Sequence, residues 1–280
     1  MEHENRKNFL ICVDSDGCAM DTMDIKHFRC FGPCMIDEWG LDQLREPLLA
    51  RWNQINLYSA TRGINRFKAL NLILREVDEG HRPVPGLERL EEWVSGAPEL
   101  SNSALEAVIR QAEGEASCLK HALSWSEKVN QAISALPEES KKAFPGVLEA
   151  LEAARGEAEI AVVSSANRQA VAEEWERCGL IGCVNEICAQ DSGSKTHCIQ
   201  MMLQKGYSPD RTVMVGDAPG DLAAAQSAGV FFFPILVRRE GESWERFRTE
   251  GLKRLLEGRF DGEYQGRLIA EFRDNLSRPV

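Results

Sequence analysis

The sequence predicts an α/β fold: a three-layer core around a parallel sheet, interrupted after its first strand by an α-helical domain. Three observations predict it. Phe9-Leu10-Ile11-Cys12-Val13 is a continuous apolar run, the signature of a strand covered on both faces. From about Asp24 to Lys142 apolar residues recur at helical spacing and no convincing strand appears. After Phe144-Pro145-Gly146 short apolar runs alternate with helical stretches, as in the βα units of a parallel sheet.

Taken along the chain, the first strand ends in Asp14-Ser15-Asp16-Gly17. In the helical stretch Phe67, Leu70, Leu74 and Val77 share one face, as do Leu105, Val108 and Ile109, with Leu119, Leu123 and Trp125 nearby. Four of the six tryptophans (Trp39, Trp52, Trp93, Trp125) fall there, enough for a small core of its own. The later strands are expected at Glu159–Val163, Val184–Cys188, Thr212–Val215 and Val230–Phe233, with helices at Gln169–Cys178, Lys195–Lys205 and Leu222–Ala228. From Ser243 onward two amphipathic helices, carrying Trp244, Phe247, Leu252 and Leu255 and then Leu268, Ile269, Phe272 and Leu276, are expected to cover a face of the sheet. The expected division is a core of residues 1–21 and 144–280 and a helical domain of residues 22–143.

Composition narrows the function classes. Among 280 residues, 33 Lys+Arg against 44 Asp+Glu give a net charge of −11. Such a field repels polyanions, so nucleic acid is an unexpected partner. Phe9–Val13, the longest apolar run near the start, falls far short of the ~20 residues of a membrane helix and lacks the layout of a signal peptide. A cytoplasmic chain with no membrane partner is expected, as a monomer or homodimer. Nine cysteines, an odd number spread over nearly the whole length, read as reduced thiols rather than a disulfide framework. Cys30 and Cys34 are separated by three residues, unlike a redox CxxC, and no second pair at zinc spacing accompanies them.

Polar signals gather where these strands end. Asp14 and Asp16 lie just past the first, where ligands of open α/β sheets bind, and Gly17 lets the backbone turn there. Alone, Asp-x-Asp-Gly reads as an acidic turn. Gly216-Asp217-Ala218-Pro219-Gly220-Asp221 brings two more acids to an equivalent place after Thr212–Val215. Acids clustered at one sheet edge repel unless a cation neutralises them, and an all-oxygen set suits Mg²⁺. Val162-Val163-Ser164-Ser165 ends a strand in hydroxyls that can donate to a phosphoryl oxygen, and Ser194-Lys195 opens a helix with a compact cation. Singly, Ser164 reads as a turn or cap serine and Lys195 as a solvated lysine.

Together these residues resemble the haloacid dehalogenase superfamily. Its four signatures are matched by Asp14-Ser15-Asp16-Gly17 with Asp21-Thr22 downstream, by Ser164, by Lys195, and by Gly216-Asp217 with Asp221. The resemblance spans residues 9 to 233 apart from the insertion, which stands where that family often carries a helical cap. It implies a Rossmann-like core, Mg²⁺ dependence and a covalent aspartyl-phosphate. By the same resemblance Asp14 is the nucleophile and a metal ligand, and Asp16 the general acid/base that also lends its carbonyl to the metal. Ser164 and Lys195 hold the phosphoryl oxygens, Asp217 binds the metal and Asp221 supports it. A carboxylic acid at Asp16 can protonate a leaving alcohol and then activate water, which phosphatases and phosphomutases need and dehalogenases do not. Cys18 and Ala19 depart from the pattern, where Thr and an aliphatic residue are usual.

The expected activity is hydrolysis of a small phosphorylated metabolite. Ser165 and, in the insertion, Arg62 and Arg66 beside Gly63 are the candidate substrate contacts. Lys26, His27 and Arg29 follow the first signature closely, whereas His81, His121 and His197 read as surface or packed histidines. Two alternatives stand: a sugar phosphomutase using a basic group near Lys26-His27, and a non-catalytic binding protein on the same fold.

Overall fold

The structure is a computed structural model that describes residues 7–112 and 114–277. It divides into two compact units, one running through Met23 and resuming at Glu139, the other Asp24–Glu138.

The first unit is built on a five-stranded parallel sheet. Its strands are β1 (Phe9–Val13), β4 (Ala158–Val163), β5 (Glu186–Cys188), β6 (Thr212–Gly216) and β7 (Phe231–Pro234); β2 (Met20–Asp21) and β3 (Lys142–Ala143) form a separate ribbon. The sheet order is β5-β4-β1-β6-β7. Register pairs Ile11 with Ile160 on one side and with Val213 on the other. Alternation along β1 sends Ile11 and Val13 to one face, where they pack with Val147, Leu151, Trp175, Trp244 and Phe247. Helices Lys195–Gln204 and Pro219–Ala228 supply the other layer, burying Cys198, Ile199, Leu222 and Ala225. Both faces are covered, which is why these strands read as continuous apolar runs.

The tail does what its apolar stripe predicts and more. Helix Glu263–Ser277 buries Leu268, Phe272 and Leu276. It also covers the edge strand: Gln265 bonds both the N–H and the C=O of Phe232, at 3.0 and 2.9 Å, and Asn275 does the same, at 3.0 and 3.3 Å, for Val237 in the segment just past that strand. Backbone groups that would otherwise template another strand are thereby closed off.

Several boundaries differ from the sequence reading. The strand expected from Val184 begins at Glu186, because a 3₁₀ turn occupies Ile181–Cys183, and the last strand runs to Pro234. The helix expected from Leu222 begins at Pro219, whose fixed φ suits a first helical position. The β2–β3 ribbon leaves no mark in the sequence, because two-residue strands show no alternation. It pairs Met20 with Ala143 and Asp21 with Lys142 antiparallel, so the chain leaves and re-enters this unit at adjacent points.

The Asp24–Glu138 unit is built of helices joined by turns, with no strand among its described residues, and has its own core, with Trp52 and Trp125 edge to face at 5.8 Å and Phe67 against Trp93 at 5.0 Å. No helix among the described residues is long and apolar enough to cross a membrane. All nine cysteines are free thiols.

Candidate active site

The sheet order places the site. From β1 the chain goes to β4 and β5 on one side, then to β6 and β7 on the other. The carboxyl ends of β4, β1 and β6 therefore border a topological switch point, where open α/β sheets bind ligands. Ser164, Asp14 and Asp217 stand just past those three ends.

Asp14 is buried, with its N–H bonded to Val215 O at 3.0 Å. The chain then turns tightly. The amides of Cys18, Ala19 and Met20 all donate to Ser15 O, at 3.3, 3.0 and 2.8 Å, and Gly17 takes a φ of 80° that a side chain would strain. Asp16 is only half-buried, and its Oδ1 accepts the hydroxyl of Thr22.

Lys195 begins helix Lys195–Gln204, where a cation opposes the helix dipole. Its reason for being there is electrostatic. Nζ lies 2.9 Å from Asp14 Oδ1 and 2.6 Å from Asp221 Oδ1. Burial works against the Lys195 charge, but the two carboxylates outweigh it and hold its pKa above the ordinary lysine value. Burial is also the largest influence on Asp14 and pushes its carboxyl well up; Asp221 and Asp217 act the same way, and Lys195 opposes them.

Asp221 is engaged on both oxygens. While Oδ1 meets Lys195, Oδ2 accepts the N–H groups of Asp217 and Ala218 at 3.1 and 3.0 Å, reaching back over the start of its own helix. Gly216 makes room for this: a Cβ there would stand 2.4 Å from Asp221 Cβ and Cγ.

Asp14, Asp217 and Asp221 each offer an oxygen within 4.8 Å of the others, all buried. Three carboxylates against one ammonium leave an excess of buried negative charge, and the donors are hard oxygens only. That donor set fits Mg²⁺. Asp16 lies outside the carboxylate cluster, so only its backbone carbonyl is left for the expected metal contact.

Of the other sequence candidates, Ser164 is buried, its N–H bonded to Cys188 O at 2.9 Å and its Oγ accepting from Ala166 N at 3.2 Å, which leaves the hydroxyl hydrogen to donate. Its neighbour Ser165 is exposed. The adjacent helix is capped instead by Asn167, which accepts from Gln169 and Ala170. Two candidates belong to the helical unit. Arg62 is buried and donates to Leu57 O at 2.8 Å. Arg66 stacks over Phe31 at 5.1 Å and donates to Ser126 Oγ and Asn130 Oδ1 at 3.0 and 2.7 Å; burial lowers its pKa to about 10. His27 is turned into the core of that unit, where its Nδ1 accepts from Trp52 Nε1 at 2.9 Å and its ring stacks on Phe31. His121 pairs with Glu38, and His81 and His197 are exposed.

The family model described as haloacid dehalogenase-like hydrolase matches residues 95–235, half of the chain. The chain belongs to the haloacid dehalogenase-like hydrolase family. The matched stretch contains Ser164, Lys195, Asp217 and Asp221; Asp14 and Asp16 join them through the sheet, as β1 lies between β4 and β6. No curated protein matches the chain significantly. Solved structures similar to this haloacid dehalogenase-like hydrolase include a hydrolase of the same family from Streptococcus pneumoniae, with 13% identity over 94% of this chain and 98% of that one, at a TM-score of 0.48. A predicted phosphoglycolate phosphatase from Haemophilus somnus shares 16% identity over 80% and 84% of the two chains, TM-score 0.47. A defluorinating L-2-haloacid dehalogenase shares 16% over 84% and 86%, TM-score 0.43.

Proposed function

We propose that the protein is a Mg²⁺-dependent phosphatase that hydrolyses a small phosphorylated metabolite through a phosphoryl group carried on Asp14. The observation that carries this reading is that two carboxyl groups on one turn stand in different surroundings. Asp14 is buried against Lys195, whereas Asp16 stands half-buried with the Thr22 hydroxyl on its Oδ1. Displacing a halide needs only the first; cleaving and then hydrolysing a phosphate ester needs both.

In the proposed reaction an Asp14 oxygen forms a bond to phosphorus while the ester bond breaks, and Asp16 gives its proton to the departing alcohol. Asp16 then takes a proton from water, whose oxygen attacks the same phosphorus and releases Asp14. Lys195 meets charge on the transferring group, and Ser164 donates its hydroxyl hydrogen to a phosphoryl oxygen. Asp14 and Asp217 would hold Mg²⁺, which supplies Lewis-acid stabilisation of that charge when bound. Asp221 keeps Lys195 and the Asp217 loop in place.

The test is hydrolysis of p-nitrophenyl phosphate with Mg²⁺ and with EDTA, beside Asp14→Asn and Asp16→Asn, followed by phosphorylated sugars, acids and nucleotides. Phosphate release should require Mg²⁺ and fall by about 10³-fold or more in Asp14→Asn, since the nucleophile is gone. Full activity in Asp14→Asn would sink the proposal.

A further inference from the structure

Two indole N–H groups reach the Asp14–Asp16 turn from helices that hold none of the motif residues. Trp175, on helix Arg168–Arg177, donates from Nε1 to Ser15 Oγ at 2.9 Å. Trp244, on helix Glu240–Arg246, donates from Nε1 to the carbonyl of Cys18 at 2.9 Å. Both rings, Ser15 and Cys18 are buried. The Cys18 thiol in turn donates to Val215 O on β6 at 3.5 Å, the carbonyl that also receives the Asp14 N–H.

We infer that Trp175, acting through Ser15, and Trp244, acting through Cys18, are positioning residues that fix the turn carrying both catalytic carboxyl groups. The inference rests on the phosphatase reading. A buried indole N–H needs an acceptor, and a buried serine oxygen needs a donor. Trp175 and Ser15 satisfy each other, so neither is replaceable alone. Ser15 lies between the two acids in sequence and its carbonyl receives three turn amides. Whatever fixes Ser15 therefore sets the spacing of the Asp14 and Asp16 side chains. Trp244 fixes the other end of the turn, at the position where this chain carries Cys18. Sub-ångström placement matters because a misplacement of about 1 Å at a reacting group costs on the order of 10²-fold in rate.

The experiment compares wild type with Trp175→Phe, Ser15→Ala, the double variant and Trp244→Phe. Two readouts are taken: kcat and KM for p-nitrophenyl phosphate with Mg²⁺, and hydrogen exchange of the Cys18, Ala19 and Met20 amides. Phe keeps an aromatic ring but loses part of the buried indole's volume along with the donor, so Ser15→Ala, which removes only the acceptor, controls for the cavity at Trp175. A positioning role predicts kcat lower by about 10- to 100-fold with KM unchanged, and a double variant no slower than the worse single one. It also predicts turn amides that exchange at least about tenfold faster while the β1 and β6 amides keep their protection. Single variants with wild-type kcat, or kcat losses that multiply in the double variant, overturn the inference, and Ser15→Ala keeps the test open if a tryptophan variant fails to fold. Wild type that releases no phosphate instead overturns the phosphatase reading alone and leaves the placement of the turn to the exchange readout. The exchange data then still report whether the indoles hold the turn.

Discussion

Replacing Asp221 with Asn separates two roles for that carboxylate: a strut that holds Lys195 and the Asp217 loop, or one more ligand for a cation. Protein kept in EDTA gives the two roles opposite signs. The Coulomb terms nearly offset one another. Losing the contact to Lys195 at 2.6 Å removes about 6 kcal/mol of attraction at an effective dielectric of about 20. Relieving repulsion from Asp14 and Asp217, within 4.8 Å, returns roughly 3–4 kcal/mol for each. Hydrogen bonding then decides. An Asn carbonyl can stay on the Asp217 and Ala218 N–H groups only by turning its NH₂ toward the Lys195 ammonium. That change leaves a buried donor facing a cation, at about 1–3 kcal/mol, and turns two charge-assisted bonds into neutral ones. The net loss should be about 2–4 kcal/mol, or roughly 4–16 °C in Tm. Urea denaturation followed by tryptophan fluorescence, read as a shifted midpoint at unchanged slope, measures it. Equal or greater stability of Asp221→Asn in EDTA would refute the strut.

Gly216→Ala should disturb the same contact from the other side: its Cβ meets Asp221 at 2.4 Å with no flexible chain end to yield. A loss of about 1–3 kcal/mol with a fall in turnover of tenfold or more is expected, checked by denaturation and kinetics in parallel. In the helical unit, half-buried Glu38 faces Lys128 Nζ at 2.6 Å, His121 Nδ1 at 2.7 Å and Ser124 Oγ at 3.0 Å. Burial opposes its ionisation, but those bonds prevail and hold its carboxyl below the ordinary glutamate value. Its stabilisation is therefore full above that ordinary value, near about 4.3, and is lost as pH falls through the lower folded one. Glu38→Gln should cost about 1–3 kcal/mol at pH 7 and flatten the acid limb of the stability profile. Gln265→Ala should strip both backbone partners from Phe232 at the sheet edge, costing about 1–2 kcal/mol; light scattering should show a rise in self-association.

The sheet and the motif residues were legible because both are local signals. A strand buried on two faces is an unbroken apolar run, and an acid or hydroxyl directly after such a run is conspicuous. Asp14, Ser164 and Asp217 stand out this way although up to 203 residues separate them, and Lys195 and Asp221 lie in the first turns of the helices that follow. What the sequence concealed is contact between elements. Arg62 and Arg66 looked like two cations beside a flexible glycine, but the helical unit draws both into hydrogen bonds with its own residues. His27 carries a basic ring close after the first signature, yet a π-helical turn over His27–Phe31 accompanies its place in an aromatic core. Register within such a turn leaves no mark in apolar periodicity.

The tryptophans show why hydrophobic patterning undercounts a site. Trp244 reads as one member of an apolar stripe, and the burial of its ring agrees with that. The stripe accounts for the ring and is silent about the N–H, which has to find an acceptor once the ring is inside. Here the acceptors are the turn after β1: Trp175 and Trp244 each deliver a donor to it from a different helix. The same burial that stabilises the core thus adds two side-chain hydrogen bonds to a turn whose own amides already close on Ser15 O. Burying amphipathic aromatic rings beside a strand end joins the packing of this core to the placement of its carboxyl groups, so a change made for packing alone at either tryptophan should be felt in catalysis.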